Sequence, residues 1–297
     1  MDTGRPWAYA NVMEIKDVSD TATWVAHYRA LENERTDALF RDPYAKALVG
    51  DRGAAIANVM KRTAPFTQWT VVIRTATIDR MIQSVIATDH IDMVVNLGAG
   101  LDTRPYRLAI PASVKWIEVD YPHIIEHKAK TLANEKPLVQ LERVALDLAD
   151  REKRQALFAR LNDLSQNILV ITEGVILYLD EKSVGELADD LHATPSFRFW
   201  IAEYLAAHTY AVISTANRKT ELKNSPFKFM PKDWFGFFSN HGWKKRDVHF
   251  LPDEAKRFNR PPPIPLLGRL FLQYLAPRFI AEKFMKMSAY VVFDKNP

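Results

Sequence analysis

The spacing of hydrophobic and polar positions changes near residue 90. Before that point, apolar residues such as Trp24 and Tyr28, and later Ile78 and Ile82, recur at helical intervals. This spacing places apolar side chains on one face of a helix. The pattern therefore predicts a helical cap or lid over residues 1–90.

After residue 90, short runs rich in β-branched residues alternate with amphipathic stretches. The predicted strands are residues 93–97, 114–119, 141–146, 168–172 and 197–202. Alternation of strands and helices is typical of a parallel sheet covered by helices on both faces. We therefore predict an α/β fold whose cofactor-binding core occupies residues 91–205.

The remaining segment, 206–297, is predicted to hold a substrate lid and a C-terminal hairpin. Two further strands, 243–250 and 289–293, would complete a doubly wound, mostly parallel sheet of seven strands. Between them lies an aromatic and methionine-rich group, Phe271, Tyr274, Phe279, Phe284, Met285 and Met287. We interpret this group as ordinary core, in preference to an apolar lid or, with nearby Arg and Lys residues, a weak peripheral membrane contact.

Composition narrows the possible classes of protein. The chain has 297 residues, 47% of them hydrophobic, which suffices for a full core and excludes a disordered protein. The absence of cysteine excludes disulfides, iron–sulfur clusters and cysteine nucleophiles, and the eight histidines lack ligand spacing, so no metal is predicted.

The sequence shows no segment for export or for crossing a membrane. The N-terminus lacks an apolar signal segment, and prolines and charges interrupt the apolar stretch 264–280. We therefore expect a soluble, cytoplasmic protein without stable membrane insertion.

The first predicted strand runs directly into a glycine-rich turn, Leu97-Gly98-Ala99-Gly100-Leu101-Asp102. Glycines at the carboxyl end of a strand let the backbone approach a cofactor closely. The second strand ends at Asp120, 22 positions after Gly98, where a carboxylate accepts hydrogen bonds from ribose hydroxyls. The combination favours a nucleoside cofactor over a simple turn followed by a helix cap.

Two more acids follow predicted strands. Asp147 comes after the third strand, where it can accept from an adenine amino group or cap a helix, and Glu173 comes after the fourth. A buried Glu173 needs a cation beside it. Thr103 stands where a dinucleotide motif has its third glycine, and Asp102 adds a negative charge that opposes pyrophosphate. These features favour S-adenosylmethionine, a cationic donor without phosphate, over NAD.

The motifs also occur in a recognisable order. They resemble the leucine carboxyl methyltransferase family of class I S-adenosylmethionine-dependent methyltransferases, whose fold is Rossmann-like. The segments that carry the resemblance are 95–104, 118–122, 147–148, 172–179 and 237–243. Residues 34–45 and Arg74-Thr75 are similar to the bacterial branch, which includes polyketide carboxyl methyltransferases.

The resemblance implies a role for each matching residue. Arg74 is expected to bind the methionine carboxylate of the donor, and Glu173 to lie near that portion. Asp120 is expected on the ribose, with Asp147 and Leu148 around adenine. The other predicted cofactor-site residues are Gly98, Ala99, Gly100, Asp102, Arg104, Tyr121 and Gly174.

The expected reaction is transfer of a methyl group to a carboxylate or hydroxyl oxygen of a small, apolar metabolite by in-line displacement. Only a hydroxyl acceptor requires a general base. The predicted catalytic residues are Tyr178, His208 as a base, and Arg29 as a partner of an acceptor carboxylate; weaker candidates are Glu203, Tyr204 and Tyr28. The alternatives are methylation of a protein C-terminal carboxylate and cofactor binding without catalysis. A nucleic-acid partner is disfavoured, because the chain has no cysteine for cytosine C5 methylation and no Asn-Pro-Pro-Tyr-like motif for amino methylation.

Overall fold

A computed structural model describes residues 18–50, 64–210 and 226–295, which contain a sheet of seven strands. The strands are β1 (Met93–Leu97), β2 (Lys115–Asp120), β3 (Gln140–Ala145), β4 (Ile168–Thr172), β5 (Phe197–Leu205), β6 (Trp243–Phe250) and β7 (Ser288–Lys295). Their order is β3-β2-β1-β4-β5-β7-β6, and β7 runs antiparallel to both of its neighbours, β5 and β6, whereas the other neighbouring strands are parallel. This confirms the predicted mostly parallel, doubly wound sheet.

Helices flank the sheet. They are α1 (Val18–Asn33), α2 (Ala64–Asp89), α3 (Arg104–Arg107), α4 (Pro122–Thr131), α5 (Arg151–Leu164), α6 (Glu181–Ala193), α7 (Trp234–Asn240), α8 (Leu251–Arg257), α9 (Leu266–Leu270) and α10 (Arg278–Met285). Aspartate side chains cap three of the starts: Asp150 accepts from the Lys153 amide, Asp180 from the Ser183 amide and Asp233 from the Gly236 amide. Such caps satisfy amide groups that the first helical turn leaves without a partner.

The two faces of the sheet bury separate hydrophobic cores. On one face, helices α5 and α6 pack with Trp200 and Trp243. On the other face, helix α2 packs through residues such as Ile78 and Ile82. Strands β1 and β4 are buried throughout, which explains why they appear in the sequence as continuous apolar runs.

The aromatic group near the C-terminus does not belong to either core. Phe271, Tyr274 and Phe279 are exposed, and helix α10 has no buried residue, so the core interpretation is wrong. A helical apolar pattern by itself does not specify a covering element, and here the segment lies outside both core clusters. Nowhere in 18–50, 64–210 and 226–295 is there a helix both long enough and apolar enough to cross a bilayer.

The strand order places a crevice beside β1. Strands β2 and β3 lie on one side of β1, and β4 and β5 lie on the other. The parallel register aligns Leu97 with both Val119 and Thr172, so the turns after three strands lie side by side. Ligands of open α/β sheets bind at such a reversal of strand order, outside the carboxyl ends of the strands.

Candidate functional site

The turn after β1 is shaped by glycine. Gly98 and Gly100 have φ of 69° and 48°, in the left-handed region that side chains rarely adopt. The amides of Gly98 and Ala99 donate to the Val119 carbonyl at 2.8 and 3.1 Å, which holds the turn against β2. A Cβ on residue 98 would lie 2.4 Å from a methyl group of Val175. The turn therefore needs glycine at 98 for both conformation and space.

Asp120 fixes this turn and does not cap a helix. Its Oδ2 accepts from the Gly100 amide at 2.6 Å, and its Oδ1 accepts from the Tyr121 amide at 2.7 Å. Helix α4 has no side-chain cap. Burial raises the pKa of Asp120, although these two hydrogen bonds oppose the shift. Each carboxylate oxygen has a further lone pair, so Asp120 can still accept from two ligand hydroxyls.

Asp147 is not a helix cap either. Its Oδ1 accepts from the Ala149 amide at 2.9 Å, whereas Asp150 caps helix α5. Asp147 is exposed and borders the cavity described below. Helix capping was the alternative role for Asp120 and Asp147. Because neither caps a helix, both carboxylates are available to a ligand at the strand ends.

Glu173 meets the cations that its burial requires. Its Oε1 lies 3.0 Å from Arg74 Nε, and its Oε2 accepts from Arg104 Nη1 at 2.8 Å. Burial acts to raise the pKa of Glu173, but the two guanidinium groups outweigh it and the pKa is lowered. Arg74 Nε makes no hydrogen bond among the described residues, so its pairing with Glu173 is purely electrostatic.

Arg104 lies beneath the turn as the centre of a buried ion network. It donates to Asp79 at 2.6 Å and to Asp102 at 3.0 Å, in addition to Glu173. Arg107 donates to the second oxygen of Asp79 at 2.6 Å. With Arg74, the network balances three guanidinium groups against three carboxylates. Asp102 is therefore neutralised, and the predicted electrostatic opposition of Asp102 to pyrophosphate is largely cancelled by Arg104.

The strand ends open into a cavity of about 860 Å³. The predicted site residues that line it are Arg29, Arg74, Gly98, Ala99, Gly100, Asp102, Asp120, Tyr121, Asp147, Leu148, Glu173, Gly174, Tyr178 and His208. Arg104 does not line the cavity and is 2% exposed, so it lies behind the residues that form the cavity wall.

The cavity lining combines polar and apolar groups from different elements. The acids and glycines of the strand ends supply polar surface. Side chains from α1, α2 and the C-terminal region supply apolar surface, among them Trp24, Val25, Phe66, Val71, Phe227, Phe284 and Met287. The same cavity therefore offers polar contacts to a nucleoside and apolar contacts to a separate apolar ligand.

The three predicted catalytic residues border the cavity in different ways. Arg29 donates from Nε to Asp42 at 2.9 Å and from Nη2 to the Leu101 carbonyl at 2.5 Å, so it ties helix α1 to the glycine turn. His208 Nε2 lies 2.8 Å from the Lys283 carbonyl, which can only accept, so this nitrogen carries a proton. Burial raises the pKa of Tyr178.

The weaker candidates do not line the cavity. Tyr28 is 2% exposed in a small cluster with Trp24 and Val71, and Tyr204 borders a second cavity of about 490 Å³. Glu203 is buried, and its Oε1 accepts from the Val175 amide at 2.7 Å. Burial raises the pKa of Glu203 to about 7.

Sequence reasoning missed one row of lining residues on helix α2. Thr67, Thr70 and Val71 border the cavity together with Arg74. Spacings of three, four and seven residues before Arg74 place them on one helix face. Because Arg74 is already a candidate from the sequence, these helical spacings could have identified the three residues as well. Asp79 and Arg107 were also missed, and nothing local in the sequence links them to the turn.

The amino-acid sequence is similar to that of known proteins. A family model described as leucine carboxyl methyltransferase matches residues 22–192. A protein of Streptomyces coelicolor is 30% identical over 253 residues, which cover 81% of this chain and 88% of the relative. One of Streptomyces avermitilis is 30% identical over 250 residues, with the same coverages of 81% and 88%. Both relatives carry the provisional name S-adenosyl-L-methionine-dependent methyltransferase.

A solved structure resembles the fold across its length. The crystal structure of a provisionally named methyltransferase from Thermobifida fusca has a TM-score of 0.59 and covers 99% of this chain and 100% of its own. The two chains are 14% identical, so the likeness concerns the fold alone.

Proposed function

The chain belongs to the leucine carboxyl methyltransferase family, and from that premise we propose that it methylates a carboxylate or hydroxyl oxygen of a small, largely apolar acceptor. Members of this family are S-adenosylmethionine-dependent methyltransferases, and this chain is one of them. The observation that carries the proposal is the cavity of about 860 Å³, which is lined both by the acids and glycines of the strand ends and by apolar side chains of α1, α2 and the C-terminal region.

The residues of the strand ends fit the donor. Gly98 and Gly100 put no side chain between the backbone of the turn and a ligand, and Asp120 has lone pairs that can accept from ribose hydroxyls. Arg74 presents a partly accessible guanidinium group, with 20% of its side chain exposed, to a carboxylate such as that of methionine. Asp147 is exposed at the rim, where a carboxylate can accept from an adenine amino group.

When bound, S-adenosylmethionine would supply a methyl group, which would pass from its positively charged sulfur to the acceptor oxygen and leave S-adenosylhomocysteine. The protein would contribute chiefly by holding donor and acceptor in line, with Arg74 and Asp120 on the donor. Such positioning can be worth many orders of magnitude in rate.

The choice of acceptor oxygen determines whether a base is needed. A carboxylate is already ionised near neutral pH and needs none. A hydroxyl must lose its proton, and the base proposed for it is the ring nitrogen Nδ1 of His208, because Nε2 donates to the Lys283 carbonyl. The engagement of Arg29 with Asp42 and Leu101 favours a positioning role for Arg29.

The proposal is tested by turnover with methyl-labelled S-adenosylmethionine. The acceptors are apolar carboxylic acids, apolar alcohols and phenols, and peptides with a free C-terminal carboxylate. We expect label in the small apolar acceptors, and alkali distinguishes the products because it hydrolyses methyl esters and leaves ethers intact. Label in the peptides alone would establish the protein C-terminal alternative. Donor binding by calorimetry without any transfer across the panel would favour a non-catalytic binder.

The variant His208→Ala separates the two acceptor chemistries. If hydroxyl acceptors are used, the variant should lose about 10²–10⁴-fold in rate, which is the usual contribution of a general base. Transfer to carboxylate acceptors should change little. A comparable loss with both acceptor types would contradict the assignment of His208 as a base.

A further inference from the structure

Exposed apolar side chains are concentrated in one segment. Of the 12 large apolar side chains exposed in the described part of the chain, seven fall within residues 267–280. These seven, which we call the apolar shelf, are Leu267, Leu270, Phe271, Tyr274, Leu275, Phe279 and Ile280. Exposed apolar side chains concentrated in one segment in this way indicate a contact surface for a protein or a membrane.

The shelf is formed by irregular helical structure at the surface. Helix α9 continues into a π-helical turn, Phe271–Leu275, and Pro277 then separates this turn from α10. Helix α10 combines Phe279 and Ile280 with charged residues and contains no buried residue. The segment therefore has an amphipathic character without a covering element among the described residues, as in helices that lie in a membrane interface.

The charges beside the shelf are mostly positive. Residues 274–286 contain Arg278, Lys283 and Lys286 against a single acid, Glu282. The Glu282 carboxylate is 2.6 Å from Lys286 Nζ, and the Lys283 ammonium lies 5.9 Å from the centre of the Phe279 ring. Cations at the edge of an apolar surface complement anionic lipid headgroups while the apolar side chains enter the acyl boundary.

Helix α10 links the shelf to the cavity. Phe279 and Ile280 lie near the start of this helix, whereas its Lys283 and Phe284 line the cavity together with the exposed Phe66 of helix α2. We propose that the apolar shelf docks this protein on an anionic lipid surface, with the cavity beside the docking face. A corollary, which rests on the proposed function, is that the methyl acceptor is an amphiphile that partitions into the bilayer.

The test is co-sedimentation of the full chain with vesicles, without donor or acceptor. We expect binding to phosphatidylcholine–phosphatidylglycerol vesicles, weaker binding to phosphatidylcholine alone, and release by salt. The variant Leu267→Ser/Leu275→Ser removes side chains that are 81% and 75% exposed, so the fold should persist. It should bind the mixed vesicles at least about tenfold more weakly, since two apolar contacts are lost.

A matched control removes exposed leucines elsewhere. Leu138→Ser/Leu164→Ser changes two side chains that are each 49% exposed, and it should bind vesicles like the parent. No binding of the parent to the mixed vesicles, or equal binding by the shelf variant, would overturn the proposal. So would a parent that dimerises in analytical ultracentrifugation through the shelf and ignores vesicles. Because vesicle binding needs no turnover, its failure and a failure of methyl transfer are separate results.

Discussion

Arg74 and Arg104 bind the same carboxylate, Glu173, from opposite sides of the cavity wall. Arg74 lines the cavity, whereas Arg104 is 2% exposed and is surrounded by Asp79, Asp102 and Glu173. The sequence places both arginines in the cofactor site. Only the structure shows that one faces the ligand space and the other supports the turn from behind.

Substitution of the two arginines should therefore have different effects. Arg74→Gln should weaken binding of S-adenosylhomocysteine by about 1.5–3 kcal/mol, the usual contribution of a hydrogen bond to a charged group, with a small effect on folding. Arg104→Gln should instead lower the free energy of unfolding by about 3–5 kcal/mol, because it leaves buried carboxylates uncompensated. Calorimetry and urea unfolding of both variants measure the contrast. Similar profiles for the two variants would contradict the assignment.

Asp120 should contribute directly to donor binding. Asp120→Ala removes the acceptor expected for the ribose hydroxyls and also releases the Gly100 amide, so binding of S-adenosylhomocysteine should weaken by about 1–3 kcal/mol. Asp163→Ala, at an exposed position on helix α5, serves as the control. Unchanged affinity in a folded Asp120→Ala variant would show that the ribose lies elsewhere.

At the scale of elements, burial on both faces made the central strands predictable. The runs 93–97 and 168–172 coincide with β1 and β4, since a strand covered on both sides is apolar throughout. Strand β5 extends to Leu205, beyond the predicted end at 202, because its last residues pair with β7. That pairing joins distant parts of the chain, so local spacing does not reveal it.

Substitution of Gly98 tests how closely the turn after β1 packs against Val175. Gly98→Ala introduces backbone strain of about 1–2 kcal/mol at positive φ and a clash with Val175 worth about 1–3 kcal/mol. Gly50→Ala is a matched control, because Gly50 has φ of 54° and open space around a Cβ. Urea unfolding should show a larger loss for Gly98→Ala, and Val175→Ala in the same chain should restore part of it. Equal losses at the two glycines would show that the clash is relieved without cost.

At the scale of the whole molecule, buried Glu203 should make stability depend on pH. Its pKa rises from 4.5 to about 7 on folding because of burial. Between these values the unfolded chain is ionised at this residue and the folded chain holds a proton. The free energy of unfolding should therefore fall as pH rises through this window, by an amount on the order of 2–3 kcal/mol.

Glu203→Gln isolates this contribution, because the amide oxygen can still accept from the Val175 amide without titrating. Urea unfolding from about pH 5 to pH 8 should give a flatter profile for the variant than for the parent. The pKa of Glu173 is lowered on folding, so this residue makes the free energy of unfolding fall as the pH decreases, and it does so only at more acidic pH. Parallel profiles of parent and variant would show that Glu203 is ionised in the folded protein throughout.

The sequence by itself determined the order of strands and helices, the glycine turn, the acids at the strand ends and the family. These features follow from local spacing and from the alignment that a parallel sheet imposes on strand ends. The tertiary structure decided how the charges are neutralised, that Arg104 turns inward, and that the apolar shelf remains uncovered by the described residues. The physical reason is that a buried charge or an apolar face acquires its role from the residues that meet it, and these come from distant parts of the chain.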